Sequence, residues 1–316
     1  MHPIIRRIVS LALALTASLV AFTLPAQAEA WPSRTVRFIL TLGPGSGADI
    51  GARLIADRLT KRWGQPVVVE NRPGSSGVVA INAVLAARDD HMLLFGPSSS
   101  FVGHPYQFDK MPYNPADLLP IARVSVTMVS VAVTPSLKLG SLKELFGLVR
   151  AQPGKLNWTS VTGVTDIIVS GFLKSSGLDM SRVPYRDPVQ ALNDVAEGRI
   201  QMYVSAFAIA RTQAQAGRVK LLAMTNRERA PVAPDVPTVA EAGFPALSFD
   251  GNVGLFGPPS MERELRERIA ADIKAVVADP EIVKRLEATG QLVRPGGAAD
   301  FAAAIQDQAD KLAETA

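Results

Sequence analysis

The sequence contains no cysteine, which excludes disulfide bonds, thiolate metal sites and cysteine nucleophiles. Histidine is also scarce, and of the three residues His2, His91 and His104 only the last two follow the N-terminal segment. Two histidines cannot form a three-histidine zinc site, and neither has a Gly-x-Ser-x-Gly nucleophile elbow nearby. We therefore expect no metal, no cofactor and no enzymatic activity.

A block of like charge is also missing. The formal net charge is +4, and acidic and basic residues are mixed along the chain. Nucleic-acid-binding and membrane-surface proteins usually concentrate basic residues. We therefore expect neither of these partners, and we expect a monomer.

The N-terminal segment has the layout of a secretory signal. Residues 1–7 include two arginines, residues 8–24 are apolar and uncharged, and small residues follow up to Ala28 and Ala30. This order is typical of a signal peptide that is cleaved after an A-x-A site. We predict a signal peptide over residues 1–28, with Ala30 as the alternative cleavage point, and a periplasmic mature protein. No later run is long and apolar enough to span a membrane.

Short β-branched runs alternate with helical patterns along the first part of the mature chain. Strands are predicted at 36–42, 67–69 and 92–95, and helices at 48–63 and 78–87. This β-α-β-α-β order predicts a parallel, doubly wound sheet.

The rest of the chain repeats this alternation and then becomes helical. The further predicted strands are 124–133, 156–160, 183–185, 202–204, 221–224 and 253–256. The further predicted helices are 141–149, 167–176, 188–197, 208–216, 261–278, 280–289 and 298–316.

No linker divides the chain in two. We therefore predict two α/β lobes joined by two crossings, with residues 31–126 plus 255–316 in lobe 1 and residues 127–254 in lobe 2. A cleft between lobes is a favoured place for a ligand.

A glycine-rich loop connects the first strand to the first helix. Gly43, Gly45 and Ser46 could bring backbone N–H groups at the helix start to an anion. The alternative is a plain turn in which Ser46 or Asp49 caps the helix, and a carboxylate at Asp49 would repel an anionic ligand. The loop also matches a dinucleotide fingerprint weakly, because Ala48 replaces its third glycine.

Two further loops follow strands at the edge where ligand crevices form in α/β sheets. The first provides Ser98 and Ser99. The second provides Ser160, Thr162, Gly163 and Thr165. Hydroxyl and amide groups from three such loops predict a pocket for a small organic anion, although each loop could also serve only as a local turn or helix cap.

Several motifs occur in an order that resembles the tripartite tricarboxylate transporter receptor family, also called the Bug receptors. The resemblance covers nearly the whole mature chain. The motifs are WPSRTVR from Trp31, GQPVVVENRPG from Gly64, KMPY from Lys110, QPGKLN from Gln152, VPYR from Val183, PDVPTVAEAG from Pro234 and ADPE from Ala278.

The resemblance implies a two-lobed periplasmic-binding-protein (Venus flytrap) fold, in which each lobe is a mainly parallel sheet flanked by helices. It also implies that a carboxylate is held between the lobes and delivered to a membrane permease. Ser205, in the loop around residues 204–206, becomes a further binding candidate by this resemblance. The first loop and the third loop depart from the family pattern, and Ile168 replaces a histidine often found there.

Two alternatives use the same fold. The protein could present its liganded form to a membrane sensor kinase, or it could be an exported α/β enzyme. The absence of a credible triad and of metal-ligand spacing disfavours the enzyme.

The signal sequence leads to a first prediction. The protein isolated from the periplasm should begin at Glu29 or Trp31, because signal peptidase cleaves after the small residues Ala28 or Ala30. N-terminal sequencing of the exported protein checks this, and retention of Met1 would contradict it.

Overall fold

The computed structural model describes residues 31–161, 163–185 and 187–315. The predicted signal peptide and Thr162 therefore lie outside the described residues. Residues up to Arg34 belong to a separate unit, and the compact unit described here begins at Thr35. Within the described part of the chain, no helix combines the length and hydrophobicity needed to cross a membrane.

Two mixed β-sheets flanked by helices form the compact unit. The first sheet has six strands in the order β11-β4-β10-β3-β1-β2. These strands are β1 (Val36–Leu40), β2 (Val67–Asn71), β3 (Met92–Pro97), β4 (Leu119–Thr127), β10 (Gly251–Gly257) and β11 (Gln291–Gly296).

The second sheet has five strands in the order β7-β6-β8-β5-β9. They are β5 (Val129–Val133), β6 (Asn157–Ser160), β7 (Ser181–Arg182), β8 (Met202–Ala206) and β9 (Lys220–Met224).

Helices connect the strands and cover the sheets. In chain order they are α1 (Gly47–Trp63), α2 (Val78–Ala87), α3 (Ser99–Val102), α4 (Leu142–Ala151), α5 (Val164–Ser175), α6 (Pro188–Ala196), α7 (Phe207–Gln215), α8 (Arg263–Val277), α9 (Pro280–Ala288) and α10 (Ala298–Thr315). The two-lobed α/β architecture is thus confirmed, and the predicted helices are found within a few residues of their expected bounds.

The sheets differ from a uniformly parallel arrangement. Strand β1 pairs in parallel with β2 and β3, as the β-α-β-α-β order predicts. Strand β10 runs antiparallel to both β3 and β4, because it returns from the second sheet rather than through a crossover helix. Strand β5, by which the chain enters the second sheet, is antiparallel to β8 and β9.

The predicted strand 124–133 is divided at Met128 into β4 and β5, which belong to different sheets, and two other strand predictions were wrong. The segment before α10 was expected to be free of strands, but β11 pairs with the edge of β4. Its sequence contains Pro295 and Gly296, which are disfavoured inside a strand, and this weakens its strand signal. Strand β7 lies before the predicted 183–185, where Ser181 and Arg182 pair with β6.

The chain crosses between the sheets at two neighbouring places. Met128 alone separates β4 from β5, and the return segment runs from the end of β9 to the start of β10. The side chain of Asn226, which is 2% exposed, joins the two crossings. Its Oδ1 accepts from the Val129 amide at 2.9 Å, and its Nδ2 donates to Thr127 O at 3.0 Å and Asp250 Oδ1 at 3.1 Å. The exact lobe boundaries stay a prediction, although β10 pairs with the first sheet from Gly251 onward.

Gly254 lies where the core of the first sheet is tightest. A Cβ there would lie 2.2 Å from the Ala122 carbonyl oxygen and 2.5 Å from Cε1 of Phe301. Phe301 is fully buried on α10, and its ring packs at 4.8 Å from the ring of Phe256. Only glycine therefore lets α10 lie this close to β10.

Replacing Gly254 with alanine should destabilise the fold. We expect Gly254→Ala to lower the free energy of unfolding by about 1–3 kcal/mol, the usual cost of overpacking a core. Gly147→Ala in α4 is the control, because no atom lies within 4 Å of a Cβ there. It should raise stability by about 0.5–1 kcal/mol. Urea denaturation measures both, and equal midpoints for the two variants would contradict the packing argument.

Candidate functional site

A cavity of about 560 Å³ lies between the ends of strands from both sheets, and it is called the cleft below. The segments that follow β1, β2 and β3 contribute Thr41, Leu42, Gly74, Ser76, Gly77, Pro97, Ser99, Ser100, Tyr106 and Gln107. The segment that follows β6 contributes Val161, Gly163, Val164, Thr165, Asp166 and Ile167. The cleft is thus formed at the carboxyl ends of parallel strands, where α/β folds place ligands.

Two helices begin at the cleft without a side-chain cap. Gly77 is the N-cap residue of α2 and Gly163 is the N-cap residue of α5, and neither helix start receives a side-chain hydrogen bond from its cap. The first N–H groups of a helix have no partner within the helix, and they favour negative charge. The two helix starts, one from each side, therefore favour a negatively charged group in the cleft.

Charged side chains contribute little to this cleft. Among its described lining residues Asp166 is the one carboxylate, and no lysine, arginine or histidine is present. Asp166 Oδ1 accepts from Ser160 Oγ at 2.8 Å and from Arg182 Nε at 2.7 Å. Since Arg182 offsets the charge of Asp166, an anion would be recognised mainly by amides, hydroxyls and helix starts.

The structure brings some of the predicted site residues together and not others. Ser99, Gly163 and Thr165 line the cleft. Ser98, which is fully buried, does not; its hydroxyl donates to Gln308 Oε1 on α10 at 2.7 Å. Ser160 uses its hydroxyl on Asp166 rather than facing the cavity.

Ser205 is also fully buried, outside the lining of the cleft. Its hydroxyl has no hydrogen-bond partner in the described part of the chain. Thr162 is not among the described residues.

The glycine-rich part of the loop before α1, residues 43–46, caps its own helix and does not line the cleft. Ser46 Oγ accepts from the Asp49 amide at 3.2 Å, and the Gly45 amide donates to Asp49 Oδ2 at 2.9 Å. Gly43 likewise lies outside the cleft lining. Ligand binding was expected for Gly43, Gly45 and Ser46, but the described contacts favour the alternative, in which Ser46 and Asp49 cap the helix.

Several lining residues were not expected from the sequence. The turn at residues 74–77 directly follows β2, so its position after a parallel strand could have identified it. Thr41 lies inside the predicted strand 36–42 but directly follows β1, and it lines the cleft beside Ser100, with 3.3 Å between their hydroxyl oxygens. Tyr106 and Gln107 follow no strand directly, and no periodic pattern distinguishes them.

A second cavity, of about 480 Å³, lies beside α7 and β9. Its lining is mainly apolar and includes Phe207, Leu221 and Val236. Arg211 at this cavity already donates to the Ala288 carbonyl at 3.2 Å. The described lining of this second cavity contains no hydroxyl group, and it does not combine helix starts from the two sheets. The cleft is therefore the stronger candidate for a polar solute.

This geometry defines a class of protein. Two α/β lobes joined by two crossings, with a polar cleft between them, form a solute-binding receptor of the periplasmic-binding-protein type. The sequence model of the tripartite tricarboxylate transporter family receptor matches residues 51–315. The chain belongs to this family.

Related proteins agree with this assignment. A UPF0065 protein from the tcbD-tcbE intergenic region of Pseudomonas sp. strain P51 is 31% identical over 94% of this chain and 89% of its own. The structure of a periplasmic transporter is 29% identical, with a TM-score of 0.75 over 90% of this chain and 96% of that one. R. palustris Rpa4515, solved with adipate, is 26% identical, with a TM-score of 0.76 over 90% and 98% of the two chains.

The loop before α1 leads to a prediction about stability and pH. Burial by itself would raise the pKa of Asp49, but hydrogen bonds from Arg53, the Gly45 amide and Asn71 outweigh it and lower the pKa below its usual 3.8. A lowered pKa in the folded state means that the charge stabilises the fold above that value and that this contribution is lost as the pH falls through the folded-state pKa.

We therefore expect Asp49→Asn to lower the free energy of unfolding at pH 7 by about 1–3 kcal/mol. The difference from the parent should shrink in acid, because the parent then loses the charge as well. Urea denaturation at pH 7 and pH 3 measures this. A constant difference at both pH values would show that the Asp49 charge is not responsible.

Proposed function

We propose that this protein is a periplasmic receptor that captures a small carboxylate-bearing ligand in the cleft and delivers it to a tripartite tricarboxylate-type membrane permease. The observation that supports this most is the pair of uncapped helix starts at Gly77 and Gly163, one on each side of the cleft. The adipate-bound relative supports the carboxylate, and the family supports the permease.

The binding mode follows from the groups around the cleft. A carboxylate between the two helix starts would accept hydrogen bonds from amides of both and from the hydroxyls of Ser99, Ser100 and Thr165. A hydrogen bond to a charged group contributes about 1.5–3 kcal/mol, so four or five could reach the ~8 kcal/mol of a micromolar complex after the cost of association. Groups from both lobes take part, so binding and lobe closure should be coupled.

The proposed route to the membrane uses the predicted export. A mature chain released by signal cleavage would act as a monomeric carrier between the outer solution and the permease. Deleting its gene should lower cellular uptake of the bound carboxylate while leaving uptake of an unrelated sugar unchanged, and normal uptake would refute the delivery step.

Calorimetry with purified protein tests the binding step. Adipate, citrate and benzoate represent dicarboxylates, tricarboxylates and aromatic acids, and the uncharged adipamide is the matched control ligand. At least one carboxylate should bind and adipamide should not, because the helix starts favour negative charge. Failure of all three acids, or equal binding of adipamide, would argue against the proposed recognition.

For the acid that binds, Thr165→Ala should weaken the affinity by about 1–3 kcal/mol, the usual loss of a hydrogen bond to a charge. Ser46→Ala is the matched control, since Ser46 caps α1 outside the cleft. It should cost about 1 kcal/mol of stability and leave affinity unchanged. If Thr165→Ala binds as tightly as the parent, the cleft residue is wrongly assigned.

A further inference from the structure

The turn before α2 has an unusual backbone. Gly74, Ser75, Ser76 and Gly77 have consecutive φ values of 135°, 46°, 55° and 99°. Positive φ is easy for glycine but disfavoured for serine. Strained backbone of this kind persists only where the surrounding structure holds it, and it concentrates at functional sites. Here Ser76 and Gly77 line the cleft.

Three residues enclose the turn. A Cβ at Gly77 would lie 3.1 Å from Cβ of Thr41 and 3.2 Å from Cβ of Ser100. The Ser76 carbonyl lies 3.1 Å from Nε2 of His104, which provides the only side-chain hydrogen bond to the turn among the described contacts. Thr41 and Ser100 thus limit the turn sterically, whereas His104 holds it by a directional bond.

The ring of His104 is itself held in one orientation. It is fully buried, its Nδ1 lies 2.7 Å from the Tyr113 hydroxyl, and Phe108 packs edge-to-face at 5.2 Å. A carbonyl can only accept, so Nε2 must carry the proton, and in the neutral ring Nδ1 then accepts from Tyr113. Burial lowers the pKa of His104, which favours this neutral form.

We propose that His104 is a positioning residue for ligand binding: through the Ser76 carbonyl it holds the strained 74–77 turn so that the start of α2 faces the cleft. This inference rests on the proposed function, because the turn matters for binding only if the cleft takes the ligand. His104 also lies in the chain between the cleft residues Ser99 and Ser100 of α3 and the cleft residues Tyr106 and Gln107.

Three variants separate positioning from simple core packing. His104→Phe keeps an aromatic ring but removes both nitrogen contacts. His104→Gln keeps one amide donor for Ser76 and one carbonyl acceptor for Tyr113. Tyr113→Phe leaves the imidazole in place and removes only the hydroxyl that orients it.

Two measurements are made. The first is hydrogen exchange of the ligand-free protein, and the second is calorimetry with whichever of adipate, citrate and benzoate binds best. His104→Phe should speed exchange at residues 74–80 and weaken affinity, each by about three- to tenfold, as expected for one lost hydrogen bond. His104→Gln should restore most of the parent's slow exchange at residues 74–80 and most of its affinity. Exchange in α4, remote from the turn, should stay at the parent rate.

The outcomes are distinguishable. If the parent binds no acid of the panel, the proposed function fails while exchange at residues 74–80 still tests the anchoring by His104. If His104→Phe fails to fold, Tyr113→Phe provides the test. It should speed hydrogen exchange at residues 74–80 and leave exchange in α4 at the parent rate. The proposal would be overturned if His104→Phe kept the exchange rates and the affinity of the parent. It would also be overturned if Tyr113→Phe sped exchange equally throughout the chain.

Discussion

The side chain of Asn226 is the contact on which the arrangement of the two lobes depends. It bonds to the backbone on both sides of the single crossing residue Met128 and to Asp250 on the return crossing. Because the two crossings are tied together at one point, the ends of the two sheets face each other across a defined gap. The cleft, and every group that lines it, is positioned by this junction.

A short hydrogen-bond chain connects the junction with the loops of the cleft. Gln308 on α10 donates to the Asp250 carbonyl at 3.1 Å and accepts from Ser98, which directly precedes the cleft residue Ser99. Helix α10 also packs against α5 from the second lobe, whose first turn lines the cleft. The C-terminal helix therefore contacts the junction and both sides of the binding region.

The cleft relies on backbone groups rather than on charged side chains. Helix α1 satisfies its own start with Ser46 and Asp49, and it lies outside the cleft lining. Helices α2 and α5 have glycine as the N-cap residue and no side-chain cap, and both starts lie at the cleft. This division makes physical sense, because a side-chain cap already occupies an N–H group at the helix start, whereas a start without one leaves that group for a ligand. The Asp166–Arg182 pair keeps the surroundings close to neutral.

The sequence by itself determined the elements and the class of fold. Alternating strand and helix patterns identified α2 at Val78–Ala87 and placed α1 within one residue of its start, because periodicity and capping act over a few residues. The family motifs indicated the two lobes and the solute-binding class. They also indicated the region of the cleft, and Ser99, Gly163 and Thr165 do line it.

Only the tertiary structure decided which way the loop residues face. Ser98 turns to Gln308, a residue 210 positions away. Strand β11 forms because an exposed edge of β4 lies beside it, not because its own residues favour a strand. The strained turn at Ser75 and Ser76 depends on Thr41, Ser100 and His104 together. Such choices depend on partners distant in the chain, and no local pattern can encode them.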